Sequence, residues 1–410
     1  MPKLNSEKCV DCGLCMKCCP GYEINFKDMN NRLFGAQPEN ASIGYCIQCY
    51  AGYSTDDKIR FNSSSGGIVT QLLIYALENG IIDGALVVRM KKEKPLEPEA
   101  FIARTKDELL SSSKSKYCPV TIAAGLAEIL REDGKFAVVG LPCHIQGIRK
   151  AQFANRNLSK KLVITIGLFC ARETNFEGTR FLLRSINVPI EAIARIDYRG
   201  EGWPGGMTLV FKNGNRKFIP FAEYRSTLGS LLFTPQRCLL CSDPLNELAD
   251  ISVGDAWLSK FNQDKKGTSM AILRSKKGEI LFKRANEDGE IKIVPLSIQE
   301  AIQSQKKLLN FKKGALSARL SVWSYFNKSV PRYVFAGSGD YMNIKRSNKK
   351  IKAILQYVIT HLSSRRDRLP SVVLFGYGMF MKVVVEILYL RYGNSNPYWS
   401  DRSNAEITRF

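Results

Sequence analysis

The sequence predicts an α/β protein, α+β overall, in three parts: a small cysteine-rich unit at residues 1–55, a mixed α/β body at 56–300 and a basic helical extension at 301–410. Three observations carry this expectation. Between residues 81 and 170, β-branched apolar runs alternate with amphipathic stretches, the pattern of a mostly parallel sheet covered by helices. The composition, 45% apolar and 24% charged over 410 residues, suits two or three domains of roughly 100–200 residues and excludes disordered and low-complexity classes. The net charge of +22 is uneven: residues 1–259 carry 32 basic and 27 acidic side chains, residues 260–410 carry 28 and 11. The basic excess therefore belongs to the C-terminal third.

Taken in chain order, the first element is a cysteine cage. Cys9, Cys12, Cys15 and Cys19, followed by Pro20, stand in CVDCGLCMKCCP, the ferredoxin spacing for thiolates around a 4Fe-4S cubane. Zinc would want ligands in two pairs, and no histidine pair is near. Cys18 is expected to pack as a small apolar residue. Cys46 and Cys49 in GYCIQCYAGY look like the start of a second such motif, which would need cysteines where the chain has Gly52 and Asp56. Either they replace a ligand of the first cluster or both are unligated thiols. Residues 1–19 lack the apolar run of a secretory signal, so a reducing cytoplasm is expected, with the 12 cysteines as thiols rather than bridges.

Next comes SSSGGIVTQLLIYALENG. Its small residues at 63–67 precede a helix marked by Ile68, Leu72, Leu73 and Ala76 that stops at Asn79 and Gly80. A helix start beside glycines offers free N–H groups to an anion or a flavin edge, and is equally an ordinary loop. Residues 85–88 read as a strand, 91–99 as a charged loop, and Pro119 as the start of a helix ending at Asp133 and Gly134. Two further strands, 136–139 and 162–169, deliver Cys143 and Cys170 just past their C-terminal ends, the sheet edge where ligands bind. Cys238 and Cys241, in PQRCLLCSD, would complete four thiolates. Spacing leaves two readings: a second 4Fe-4S cluster, or separate buried thiols.

From 193 to 220 the pattern changes to a hairpin around Asn213 and Gly214. Strands at 250–253, 270–273 and 291–294 and a helix after Gly278 continue the body. Gly140-Leu141-Pro142-Cys143 has no GxGxxG character, and no Walker, HExxH or Gly-x-Ser-x-Gly motif appears. The chain has only 2 histidines. His144, beside Cys143, is a candidate proton donor to a reduced cofactor or hydrogen-bond donor to a cluster sulfur, against the alternative of a structural histidine.

Together the strings SSSGGIVTQLLIYALENGIIDGALVV, SKYCPV, VVGLPCHIQGIR, IGLFC, YRGEGWPGG and RCLLCSDPLNELADISVGDAW resemble the coenzyme F420-reducing hydrogenase/dehydrogenase beta-subunit family over about residues 5–300. The resemblance implies an iron–sulfur flavoprotein oxidoreductase passing electrons between 4Fe-4S clusters and a two-electron acceptor, F420 or another small-molecule substrate, through FAD. Cys9, Cys12, Cys15 and Cys19 match the N-terminal ferredoxin ligands. Cys143, Cys170, Cys238 and Cys241 match the cluster motif of the catalytic domain. Ser65, Gly66 and Gly67, with Lys116 and Tyr117, match positions expected near FAD and its substrate, and Lys116 would either stabilise an anionic reduced flavin or be a solvated loop lysine. The family's Gln after Gly-x-Pro-Cys is His144 here. The expected partners are ferredoxin or another electron-transfer protein; a second copy of the chain is an alternative to the domain itself as cover for the apolar 371–392 stretch. The competing class is a non-catalytic iron–sulfur docking protein.

The C-terminal third departs from these strings. Ile351, Ile354, Leu355, Val358 and Leu362 trace a helical stripe flanked by Lys345, Arg346, Lys349, Lys350, Lys352, Arg365, Arg366 and Arg368. This is either a packing helix or a helix lying on an anionic membrane face, which would put the protein at the inner surface of the membrane. Residues 371–392 are almost wholly apolar over 22 residues, but Lys382 and Glu386 interrupt them. Each charge would cost ~3 kcal/mol at a bilayer centre, which argues against a simple span. Nucleic-acid binding lacks a recognisable module.

Overall fold

The computed structural model describes residues 5–335 and 346–364; side chains are described for 351–361 of the latter span. The strands in chain order are β1 (Glu23–Asn25), β2 (Gln48–Ser54), β3 (Gly84–Met90), β4 (Pro98–Ala103), β5 (Phe136–Gly140), β6 (Leu162–Leu168), β7 (Ile193–Asp197), β8 (Gly206–Phe211), β9 (Arg216–Pro220), β10 (Ile251–Asp255), β11 (Ser269–Leu273), β12 (Ile291–Leu296) and β13 (Arg332–Val334). Eight form one mixed sheet in the order β12-β2-β11-β10-β6-β5-β3-β4. Its centre, β10-β6-β5-β3, is parallel, as the 81–170 alternation predicts. Both flanks are antiparallel.

Helices cover both faces. On one, Ile68–Glu78 and Lys276–Glu287 bury Leu72, Leu73, Leu281 and Phe282 against Ala137, Ile166 and Ala271. On the other, Ala123–Arg131 and Pro142–Ala154 bury Ile129, Ile145 and Ile148 against Leu86, Phe136 and Val138. The antiparallel sheet β7-β8-β9 has its own core of Ile196, Met207, Leu209 and Tyr224. Gly214 turns β8 into β9 at φ +85°, the left-handed backbone that glycine adopts without Cβ strain.

Four expectations shift. The boundary at 55 moves N-terminal of Gln48, because β2 is inserted between β11 and β12 and is an interior strand of the body. The 91–99 loop is shorter: β4 pairs with β3, and Arg89–Glu99 at 2.7 Å and Lys91–Glu97 at 2.9 Å tie the hairpin across its exposed face, so the charge that reads as loop is cross-strand pairing. The helix assigned to open at Pro119 begins at Ala123. In the helix Arg346–Ser364 the packed face is not the aliphatic stripe: Ile351, Ile354 and Val358 are exposed, while Ala353 and Tyr357 are buried. Aromatic packing sets this rotation, since Tyr357 meets Trp323 edge-on at 4.9 Å and stacks on Phe326 at 4.4 Å. Lys345, Arg365, Arg366, Arg368 and the 371–392 stretch lie outside the described residues. Among the described residues no helix is long and apolar enough to cross a membrane.

Candidate functional site

Three arms meet at the C-terminal edge of the parallel strands. β5 ends at Gly140, and the chain enters Pro142–Ala154 with proline in the first turn and Cys143 next to it, a position where a missing N–H costs nothing. β6 ends at Leu168, and Cys170 follows, its N–H donating to Pro244 O at 2.9 Å. The short helix Gln236–Leu239 carries Cys238, with Cys241 just beyond and its thiol 3.6 Å from Asp243 O. Asn246 stitches the arms: its Nδ2 donates to Gly140 O at 2.8 Å and Leu168 O at 3.2 Å. A Cβ at Gly167 would fall 2.3 Å from the Asn246 side chain, so glycine there makes the stitch fit.

The structure thus brings together Cys143, Cys170, Cys238 and Cys241, close enough to act on one another's ionisation. Cys143 keeps solvent exposure, yet the protein packed around it raises the pKa of its thiol, with Cys241 and Cys238 adding to this and Arg237 and Lys312 opposing. Burial likewise raises Cys170 and Cys238. Around them stand Arg172, Arg237, Lys312 and Arg319. Burial lowers Arg172, and takes Arg319 down to about 10. Arg172 Nε and Arg319 Nη1 are buried without hydrogen-bond partners. Buried cations with unpaired donors around four thiols fit an anionic, thiolate-ligated group: the thiolates would gain counter-charge and the guanidinium groups an acceptor. Among the described residues no three His, Cys, Asp or Glu side chains close in tightly enough to hold a single metal ion; a cubane spreads its ligands over its corners and asks for wider spacing than one ion does.

The N-terminal cysteines sit next door. Gly13, at φ +66°, turns the chain into Leu14–Cys18, and Cys9, Cys12, Cys15 and Cys19 all face solvent while Cys18 is half-buried. Lys150, on the helix that begins at Pro142, donates to Glu23 O at 2.7 Å and Cys19 O at 3.3 Å. Arg237 Nη2 donates to Pro20 O at 2.8 Å, and a Cβ at Gly21 would lie 3.3 Å from both Arg237 Nε and Cys19 Sγ. Arg237 therefore borders both cysteine sets. Parallel pairing of β1 with β13 fastens this unit to the C-terminal part of the chain.

A second cluster of elements surrounds Ser65, Gly66 and Gly67. Ser65 Oγ donates to Thr268 O at 3.0 Å, Gly66 N–H donates to Ser269 Oγ at 2.9 Å, and Gly67 opens the helix Ile68–Glu78 at φ +79°. At Gly66 a Cβ would meet Gly52 O at 2.5 Å and Ser269 N at 2.7 Å. Arg199 joins this loop to the next: it donates to Ser64 O at 2.6 Å and Tyr117 Oη at 3.4 Å and lies 3.7 Å from Asp255. Trp203 Nε1 donates to the other oxygen of Asp255 at 3.1 Å. Beside the loop lies a cleft of about 410 Å³ lined by Lys58, Asn62, Ser63, Lys106 and Lys114 among others. Lys114 is paired with Asp197 at 2.9 Å.

Two candidate residues are held by backbone groups of neighbouring loops. The Lys116 ammonium donates to the carbonyls of Ser112, Ser113 (2.7 Å) and Lys114 (2.9 Å), so it is neither a free cation nor a solvated lysine. Burial lowers its pKa to about 7. The His144 ring nitrogen Nδ1 accepts from Leu141 N–H at 3.4 Å, burial lowers its pKa, and its other bond is to the Val120 backbone; this is a neutral histidine bridging two loops. Sequence reasoning missed Asn246, Arg199, Arg237, Lys312 and Arg319. Of these, Arg199 lies in YRGEGWPGG, and Arg237 and Asn246 in RCLLCSDPLNEL, so the strings held them but no chemical signature did. Glu173, pushed up to about 8 by burial, was also missed.

Residues 49–127 match the N-terminal family model, and residues 133–299 the C-terminal family model, of the coenzyme F420 hydrogenase/dehydrogenase beta subunit. The chain belongs to this beta-subunit family. The match begins at the second residue of β2, where the large sheet begins, and it makes the chain an oxidoreductase by class. The coenzyme F420 hydrogenase subunit beta of Methanothermobacter thermautotrophicus is 30% identical over 65% of this chain and 92% of that protein. The coenzyme F420-dependent sulfite reductase of Methanocaldococcus jannaschii is 31% identical over 67% of this chain, which spans only 46% of that longer protein. A chain of the F420-reducing [NiFe] hydrogenase complex from Methanosarcina barkeri superposes with a TM-score of 0.56 at 24% identity, over 72% of this chain and 98% of that one. That likeness is one of fold.

Proposed function

We propose that the chain is an iron–sulfur flavoprotein that moves electrons between 4Fe-4S clusters and a two-electron acceptor. The observation that carries it is the meeting of Cys143, Cys170, Cys238 and Cys241 inside a ring of Arg172, Arg237, Lys312 and Arg319. These thiolates would hold one cluster, and Cys9, Cys12, Cys15 and Cys19, as the ferredoxin-like unit, a second. FAD, when bound, supplies the conversion between one-electron and two-electron chemistry.

The chain's own residues divide the remaining work. The four cations offset thiolate charge that burial alone would keep protonated. Gly66 and Gly67 let the loop pack flat against β2 and β11, which sets the start of Ile68–Glu78 beside the ligand. Arg199, fixed by Ser64 O, Tyr117 and Asp255, offers a guanidinium to an anionic edge. Lys116 and His144 act as positioning residues, the first closing the 112–116 turn beside Tyr117, the second joining 120 to 141. Exposure of the N-terminal cysteine loop suits docking of ferredoxin or another electron-transfer protein; the acceptor is F420 or another small molecule, and the setting a reducing cytoplasm.

Anaerobic purification with iron, acid-labile sulfide and flavin counts tests this. Two clusters' worth of iron and one flavin per chain are expected, with flavin bleaching on addition of reduced F420 or reduced ferredoxin. A folded, colourless, iron-free protein overturns the proposal.

A further inference from the structure

Cys46 and Cys49 belong to neither cysteine set. Cys49 lies in β2, its backbone paired with Ile272 of β11 on one side and Leu296 of β12 on the other, and it is 1% exposed. The segment leading to Cys46 is tied down independently: Ile47 N–H donates to Leu273 O at 2.8 Å, and Arg274 Nη1 donates to Ile43 O at 2.8 Å and to Tyr45 O. With both backbones held this way, the two sulfurs stand 3.5 Å apart. Ile43, Ala51, Leu245 and Met270 pack around them, and Arg274 and Glu39 are the charged groups acting on Cys46.

The pair is asymmetric. Cys46 is half-buried and Cys49 buried. The hydrogen bond from Cys49 and the nearby Arg274 lower Cys46 despite its burial, whereas that same bond and burial raise Cys49. A half-buried sulfur whose ionisation is favoured over that of its fully buried partner 3.5 Å away is the arrangement of an attacking and a resolving thiol. Two inert core cysteines would need neither the approach nor the difference in access.

We propose that Cys46 and Cys49 form a reversible dithiol/disulfide site, separate from both cysteine cages, that exchanges with low-molecular-weight disulfides. The Cys46 thiolate attacks a disulfide RSSR and releases one RS⁻, which takes up the Cys46 proton. Cys49, losing its proton, then attacks Cys46 Sγ and releases the second RS⁻, which takes up that proton. Two thiols and RSSR become one protein disulfide and two RSH. Closing the last ~1.5 Å to a disulfide bond falls on Cys46, since two ladders hold Cys49. The inference stands whether or not the chain carries flavin or iron.

The test uses the full chain, equilibrated anaerobically in glutathione/glutathione disulfide mixtures, acid-quenched, denatured, alkylated, reduced, and alkylated again with a second reagent before peptide mapping. Cys46 and Cys49 are expected to pass together from the first label to the second as the mixture becomes oxidising, and to return when it is reversed, while the buried single thiol Cys118 keeps the first label. In Cys49→Ser, Cys46 is expected to accumulate a glutathione adduct that the wild type resolves, and Cys46→Ser/Cys49→Ser is expected to keep the wild-type iron content. First label on both cysteines at every ratio, with the protein folded by circular dichroism, overturns the proposal. So does loss of iron in a folded double variant, which would make them cluster ligands. If the variants do not fold, the wild-type map alone decides.

Discussion

Asp250 shows how much of the site rests on a single buried carboxylate. It accepts from Thr165 N at 2.8 Å and Thr165 Oγ1 at 2.9 Å, and lies 3.1 Å from Arg149. Burial opposes its charge, but Arg149 and Lys277 outweigh that and lower its pKa. Arg149 in turn donates to Leu248 O at 2.8 Å, so the pair locks the Cys143 helix to the segment after Asn246. Asp250→Asn leaves the Arg149 charge buried and uncompensated, and is expected to cost about 3–5 kcal/mol in urea unfolding at pH 7. Because the folded pKa is depressed, this contribution is present above the unfolded value of about 3.9 and is lost as pH falls through the folded one. The wild type should therefore lose stability more steeply below pH 4 than Asp250→Asn; equal acid limbs would show that Asp250 carries no net stabilisation. Nothing in ELADISVGD marks this aspartate in the sequence, because its partners come from positions 149 and 165.

At the scale of elements, the loop before Ile68–Glu78 depends on glycine for space as much as for backbone freedom. The Cβ added by Gly66→Ala would collide with Gly52 O and Ser269 N, both backbone atoms of β2 and β11 that cannot yield. The loop would lift off the sheet edge and break its bonds to Thr268 and Ser269. Flavin content per folded chain is expected to fall at least tenfold while iron content stays at the wild-type value; unchanged flavin would remove this loop from the cofactor site. Arg199→Lys keeps the charge but cannot reach Ser64 O, Tyr117 and Asp255 together, and is expected to weaken flavin retention more than iron retention in the same two counts. The SSSGG string and the helix after it were legible because small residues followed by a 3.6-residue apolar period state their own structure. The role of Lys116 was not, since a lysine bonding carbonyls two to four residues back looks in sequence like any loop lysine.

For the whole molecule, the parallel centre of the sheet and the delivery of Cys143 and Cys170 to its C-terminal edge followed from strands that are apolar throughout, as buried parallel strands are. The antiparallel flanks were less legible: β2 mixes Gln48, Tyr50 and Tyr53 with small residues, and only its two neighbours, more than 200 residues later in the chain, make it a strand. Convergence of Cys238 and Cys241 on the same place is non-local in the same way. The two cages nevertheless draw on different parts of the fold, and that separates their failure. On the proposed assignment, Cys143→Ser removes a ligand from a site whose arms are held by Asn246, so it should take away one cluster's iron and sulfide and leave the other's. Cys12→Ser acts on an exposed loop held by Lys150 and Arg237, and should take away the complementary share while sparing flavin. Electron paramagnetic resonance of the dithionite-reduced variants checks the assignment: the wild type, with Arg237 bordering both cysteine sets, should show a spectrum broadened by spin–spin interaction, and each variant a single unbroadened signal. Identical spectra in all three proteins would mean that the cysteine sets do not hold neighbouring clusters.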